Sequence, residues 1–290
     1  MVSRAIHKMV SSSKVLTYIC KQSAIQKPLH NCYEYVVWKS RMVVQRISEI
    51  PRILGYKQQK YLPLKALKNK YEGKRCFIAC TGPSLTISDL ELLKDEYVFG
   101  MNSLALIHDK TSWKPDFYGI EDHDVYERLE DKILNTDNGL VFYSQEIAKK
   151  YRIPKGAIPF YRDSAYHLYE FRHGNFFTRF SNNCYARVFD GYTITHSVIQ
   201  LAVHLGFKEL YLIGCDCNYE KGKAHFIEHG NPVGVGDNMG RLFTSHRVVL
   251  DYSKKMGFKI FNATRGGMLE IYPRVNLDHI LAENRNNKLN

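Results

Sequence analysis

Three polar clusters stand directly after short apolar runs, and these are the positions where chemistry could sit. The first is Thr81-Gly82-Pro83-Ser84, after Cys76–Cys80. A glycine-bearing turn entering a helix offers backbone N–H groups and a positive dipole end, which suits a phosphate. It is neither a P-loop nor a full GxGxxG, so a tight structural turn is the plain alternative. The second cluster is Gly100-Met101-Asn102-Ser103. Asn102 can donate and accept, so it can read a base or a ribose, or cap the next helix. The third is Gly214-Cys215-Asp216-Cys217-Asn218-Tyr219, followed by His225 and His229. Asp216 can orient a sugar or a base, or brace its loop. His225 and, second, His246 are the candidate general bases, since imidazole has an unperturbed pKa of about 6.5. The histidines lack HExxH spacing and the seven cysteines include no CxxC pair, so no metal is expected.

Positioning these clusters requires strands that end where they begin. Apolar runs at Cys76–Cys80, Tyr97–Met101, Phe117–Ile120, Leu140–Tyr143, Glu209–Ile213 and Lys259–Asn262 read as strands. Helices are expected from Ser84 or Thr86 through Leu93, from Asp122 or Asp124 toward Leu134, over Thr195–Leu205 and Leu242–Met256, and from Asn276. Strands alternating with helices predict an α/β fold, a Rossmann-like, mostly parallel sheet covered on both faces. Ligands of such sheets bind beyond the carboxyl ends of the strands. Residues 160–192, rich in Tyr, Phe, Arg and Asn, break the rhythm. They read as a lid or acceptor-binding insertion, or as an irregular excursion with buried aromatics.

The motif order resembles the bacterial family 42 sialyltransferases and the related Maf-type flagellin-modification and pterin pyrophosphokinase-like proteins. Gly82-Pro83-Ser84-Leu85, Asn102 after the second strand, the stretch Leu205–Asp216 and Phe261-Asn262-Ala263-Thr264 carry it, over residues 74–282. The resemblance implies a Rossmann-like, single-domain GT-A-like variant with an inserted lid, and a CMP-sialic acid donor. It implies that Thr81, Gly82, Pro83, Ser84 and Asn102 hold the nucleotide, with Thr195 in the run Thr193–Ser197 over the cytidine. Asn218 and Tyr219 fall in the stretch that contacts the donor phosphate. Asp122 joins them as a candidate donor contact. The sialyltransferase general-base position falls on Gly240, a departure from that pattern, and the Asp216…His225 arrangement looks more like the Maf and pterin-kinase branch.

Charge divides the chain into two parts. The net charge is +12, and residues 1–75 hold sixteen basic and three acidic side chains, a net +13. The rest is close to neutral, which argues against nucleic-acid binding by the body. Residues 1–70 interleave those cations with aromatic and aliphatic residues at near-helical spacing, and Pro51 is expected to end a helix. Such a region suits an anionic membrane surface; packing on the body or a homo-oligomer contact is the alternative use. No run approaches the roughly 18 apolar residues of a membrane span, and no signal peptide is evident.

Together these readings predict residues 1–70 as a basic helical region and 71–290 as a nucleotide-sugar-binding catalytic domain. The expected activity is an inverting, metal-independent glycosyltransferase. It would move sialic acid or a related nonulosonate or Kdo-type sugar from a CMP donor, used as a substrate with no separate cofactor. The acceptor would be a lipid-linked or oligosaccharide glycan at the inner, cytoplasmic membrane face. The alternatives are a pterin-type pyrophosphokinase using ATP, and a non-catalytic nucleotide- or glycan-binding subunit. Sugar transfer needs a held donor phosphate, and Tyr219, Arg241 or Arg265 could donate to it.

Overall fold

The computed structural model describes residues 23–54, 56, 59–165, 176–218 and 238–289. Seven strands form one parallel sheet in the order β5-β4-β3-β2-β1-β8-β9. They are β1 Arg75–Ala79, β2 Tyr97–Met101, β3 Phe117–Ile120, β4 Leu140–Ser144, β5 Ile158–Phe160, β8 Glu209–Ile213 and β9 Lys259–Asn262. A separate parallel pair joins β6 Arg162–Asp163 to β7 Val188–Phe189. The helices are α1 Ser23–Ile53, α2 Leu62–Ala66, α3 Ile87–Glu91, α4 His123–Asn135, α5 Ile194–Leu205, α6 Asn238–Met256 and α7 Leu277–Leu289.

The strands are apolar on both sides because both sides are covered. Cys76 and Ile78 of β1 pack with Val198, Leu201 and Val249 from α5 and α6. Their neighbours Phe77 and Ala79 point the other way, to Leu90 of α3 and Leu277 and Leu281 of α7. Beside them, Tyr118, Ile120 and Val141 cover Val125, Leu129 and Ile133 of α4. The Rossmann-like α/β expectation therefore describes the observed sheet.

From β1 the chain adds strands outward to β5, then returns to place β8 and β9 on the other side of β1. The direction of winding reverses between β1 and β8. At such a reversal the loops leaving neighbouring strands diverge and open a crevice. The loops after β1 and β8 are the first and third polar clusters.

The packed body starts earlier than residue 71. Tyr61 and Leu64 are fully buried, and the Tyr71 ring stacks on Phe207 at 5.2 Å. Helix α1 also runs through Pro51 to Ile53, rather than ending at the proline. A proline two residues from a helix end disturbs only the final turn.

The described part of residues 160–192 is packed. Phe180, Cys184 and Val188 belong to the main core. Gln200 of α5 accepts from the amides of Ser181 (2.9 Å) and Phe189 (3.0 Å), tying this irregular segment to the helix. Residues 166–175 lie outside the described residues.

Candidate functional site

Two adjoining cavities lie at the carboxyl ends of the central strands. The first, of about 100 Å³, is lined by Thr81, Gly82, Asn102, Thr195, Cys217 and His246, among others. The second, of about 510 Å³, includes Glu121, Asp122, Arg162, Asp190 and Tyr192 in its wall. Asn102, Thr193 and Ile194 line both, so the two form one cleft.

Asp216 braces the floor. Its carboxylate accepts from the Ser84 hydroxyl at 2.9 Å and the Ser84 amide at 3.3 Å. Gly82 lies so close that an added Cβ would sit 2.0 Å from an Asp216 oxygen. On the other side the Met268 amide donates to the Asp216 carbonyl at 2.7 Å, and a Cβ on Gly267 would collide with that residue's backbone. The two glycines are thus required by the close approach of Asp216. Thr81 and Gly82 face the first cavity, Pro83 is exposed, and the Ser84 hydroxyl is committed to Asp216.

Of the two expected starts, Ser84 and Thr86, the second is the observed one, and α3 runs from Ile87 to Glu91. Thr86 caps α3, its hydroxyl accepting from the Asp89 amide in a capping box. That box fixes the first turn at Ile87. The helix N-terminus that faces the cleft belongs instead to α5, capped by Thr193, whose hydroxyl accepts from the Thr195 amide. Its outward amides give that wall a positive end.

Asn102 stands where the cavities meet, in the left-handed region at φ 47°. Its backbone carbonyl accepts from the Tyr118 hydroxyl at 2.5 Å. Its buried side-chain oxygen has no hydrogen-bond partner among the described residues. Buried polar atoms are normally paired, so this unpartnered oxygen sets Asn102 apart among the residues that line both cavities.

The acidic group in the second cavity is Glu121 as well as the expected Asp122. Asp122 caps α4 by accepting from the Val125 amide at 2.9 Å. Glu121 faces the opposite way, toward α5, and accepts from the Ser197 hydroxyl at 2.7 Å. Burial, and next the nearby Asp190 charge, push its carboxyl up to about 8. Arg162 stands 3.7 Å from Asp190. Glu121 was legible in principle. In β3 the position of Gly119 faces Val198 of α5, and the period of two puts Glu121 on that same side.

His246 is buried on α6. Its Nδ1 pairs with the Tyr272 hydroxyl at 2.9 Å, and its Nε2 lies 3.9 Å from the Cys215 sulfur and 3.7 Å from the Cys217 sulfur. Hydrogen bonding within the thiol pair pushes Cys217 down to about 5 and Cys215 well up. Spacing rules keyed to CxxC missed this group. Arg265, one of three residues that could donate to a donor phosphate, pairs with Asp89 (2.7 Å) and Asp278 (2.9 Å). Asn218 lines the first cavity. Tyr219, His225 and His229 lie outside the described residues.

Among solved structures, the Maf glycosyltransferase from Magnetospirillum magneticum AMB-1 is 17% identical, with a TM-score of 0.46. That match covers 76% of this chain and 38% of the other, so this chain spans well under half of that protein's length. The sialyltransferase CstII from Campylobacter jejuni, in complex with cytidine-5'-monophosphate, is 16% identical with a TM-score of 0.43, covering 70% of this chain and 85% of that one. A second CST-II structure in complex with CMP is 18% identical with a TM-score of 0.45, over 70% and 86% of the two chains. The curated proteins include no match to this chain. Among the described residues no helix is long and apolar enough to cross a membrane. The model of the family described as 6-hydroxymethylpterin diphosphokinase MptE-like matches residues 55–222, more than half of the chain, and the chain belongs to that MptE-like family.

Proposed function

We propose that this protein is a nucleotide-sugar-dependent glycosyltransferase with its donor in the cleft at the β1–β8 reversal. The observation that carries this reading is Asn102, with its unpartnered buried oxygen at the junction of a small and a large cavity. A nucleotide fits the wall made by Thr81, Gly82, Asn102 and the first turn of α5, where amide dipoles favour phosphate. The transferred sugar and its acceptor then meet in the larger cavity. A CMP-linked sialic acid or a related nonulosonate or Kdo-type sugar is the donor we favour.

Glu121 serves as general base in this scheme. Its carboxyl, pushed up to about 8, is matched to removing a proton from an acceptor hydroxyl near neutral pH. As the hydroxyl oxygen bonds to the anomeric carbon, the bond to the phosphate oxygen breaks and the nucleotide leaves with that electron pair. Arg162 supplies positive charge to the same cavity.

A specific observation favours a second reading. Glu121, Asp122 and Asp190 form an acidic wall beside the cleft, and hard divalent cations that carry ATP phosphates take carboxylate ligands. With the family's description, this supports a diphosphokinase. Incubation with CMP-sialic acid and with Mg²⁺-ATP separates the two. CMP release upholds the transferase; AMP release, with a pterin as acceptor, upholds the kinase.

We also propose that α1 rests on an anionic membrane surface. It docks on the body through polar side chains. The Arg52 Nε donates to the Ala186 carbonyl at 2.5 Å, Glu49 pairs with Arg187, and the Gln45 amide, with its nitrogen turned inward, donates to Asp163. Its outward face carries Val36, Val43, Ile47 and Ile50, each more than half exposed, and Leu54 just past its end is exposed as well. The net +13 of residues 1–75 complements an anionic surface.

A further inference from the structure

The group formed by Cys215, Cys217 and His246 has the geometry of a metal site, and it borders the first cavity. The two sulfurs are 4.0 Å apart, and the imidazole Nε2 is 3.9 and 3.7 Å from them. A tetrahedral zinc ion, with bonds of about 2.3 Å to sulfur and about 2.0 Å to nitrogen, needs edges of about 3.8 and about 3.6 Å. The three atoms therefore already stand at nearly the spacing of one face of that tetrahedron.

The imidazole tautomer is also set for ligation. The Tyr272 hydroxyl has one proton, and it donates that proton to the His246 carbonyl at 3.1 Å. The 2.9 Å contact from Nδ1 to the same hydroxyl must then be Nδ1–H donating. In the neutral ring this leaves the Nε2 lone pair aimed at the two sulfurs. A second hydrogen bond that orients the ring is the usual support of a metal-binding histidine.

The loop is built to bring the sulfurs together. Cys217 adopts a left-handed conformation at φ 48°. Thr264 accepts from the Cys215 amide at 3.0 Å, and Met268 donates to the Asp216 carbonyl between the two cysteines. Two thiolates and a neutral imidazole cancel the charge of a divalent ion, which suits a buried site. Sulfur with imidazole selects zinc over magnesium or calcium.

We propose that Cys215, Cys217 and His246 bind one zinc ion, with the fourth coordination position open to the donor cavity. The Cys80 thiol, beside Cys215, lines that same cavity and lies outside the trio. This assignment is independent of which transfer reaction the cleft performs.

The test is metal analysis of the full chain purified under reducing conditions, then exchange with cobalt. The expected result is one zinc per chain and, with Co²⁺, a thiolate-to-cobalt charge-transfer band. Cys217→Ser should lose the band, and His246→Ala should lose or shift it. Cys32→Ser, at an exposed cysteine outside the group, should leave it unchanged. X-ray absorption of the zinc-loaded wild type gives a readout that does not depend on the variants folding; it should fit two sulfurs and one nitrogen. Substoichiometric zinc that does not rise on loading, a Cys215–Cys217 disulfide in freshly reduced protein, or a zinc shell without sulfur would each overturn the proposal.

Discussion

Asp216 and Ser84 meet across the gap between β1 and β8, one carboxylate oxygen accepting from both the hydroxyl and the amide of Ser84. The contact joins the two loops that diverge where the sheet reverses direction. It explains why a polar residue follows the apolar strand Glu209–Ile213: the carboxylate holds the loop after β1 in shape. Asp216 therefore positions the loop after β1 through Ser84, from the wall of the first cavity.

Replacing that carboxylate should loosen the loop before it unfolds the chain. Asp216→Ala removes two hydrogen bonds to a carboxylate and leaves the part-buried Ser84 amide without that partner. Bonds of this kind contribute about 1.5–3 kcal/mol. A domain of this size loses about 2–4 °C per kcal/mol. The expected outcome is a fall of several degrees in Tm with weaker nucleotide binding. Ser84→Ala should give a smaller fall, since the amide contact survives. Calorimetry of the two variants checks the order, and equal Tm values for wild type and Asp216→Ala would refute the bracing role.

Asn102 supports the opposite expectation for stability. Its side-chain oxygen is buried without a protein partner, so its loss should cost the fold little. Glycine is the right replacement, because the backbone there is left-handed and alanine would add strain. Asn102→Gly should keep a Tm close to wild type while nucleotide affinity falls roughly tenfold, equivalent to about 1.4 kcal/mol. Titration calorimetry with CMP and ATP measures this. Unchanged affinity for every nucleotide that binds the wild type would remove Asn102 from the site.

The parallel sheet was legible because its strands are short apolar runs followed within two residues by a polar residue or glycine. Tyr97–Met101, Phe117–Ile120, Glu209–Ile213 and Lys259–Asn262 end at the residues expected. The short strand Ile158–Phe160 escaped because Pro159 sits in its middle. That is tolerable there because β5 is an edge strand, where one amide needs no ladder partner. In the site, the chemistry-bearing loops were readable from strand ends and the side of β3 that carries Glu121 from its alternation, but which side lines the cleft was not. Asp122, which was singled out, lines the second cavity and also caps a helix, while adjacent Glu121, which was not, lines the same cavity. The Cys215–Cys217–His246 group depends on a left-handed residue and on a helix 29 residues away, neither of which any local motif encodes.

Glu121 makes stability and activity respond to pH in linked ways. Its folded-state value of about 8 lies above the ordinary 4.5. Between those two values the folded protein keeps a proton that the unfolded chain has released. Stability therefore falls as pH rises from 4.5 toward 8, and the full penalty is present above 8. Glu121→Gln cannot ionise and keeps a partner for Ser197. Its stability should match wild type near pH 4.5 and exceed it above pH 8 by an amount on the order of a few kcal/mol, seen as a higher Tm. If Glu121 is the base, wild-type turnover should climb to a plateau above pH 8, and the variant should lose about 10²–10⁴-fold. A variant that gains no stability at high pH would show that the carboxyl is not held protonated.

The outward face of α1 is the place to test membrane attachment without disturbing the body. Deleting the helix would remove Arg52 and Glu49, which the packed body uses. Ile47 and Ile50 are 60% and 53% exposed, so Ile47→Glu with Ile50→Glu should leave the fold intact. Wild type should sediment with vesicles containing phosphatidylserine, and less so as salt screens the contribution of about 1 kcal/mol per cation. The double variant places two carboxylates in the apolar stripe against an anionic surface. Its partitioning should fall more than tenfold, a loss above about 1.4 kcal/mol. Neutral phosphatidylcholine vesicles should bind both forms poorly, because the basic residues then have no counter-charge. If the wild type ignores anionic vesicles but sediments in solution as a dimer that the same variant dissociates, the stripe is a subunit interface, and the membrane assignment fails.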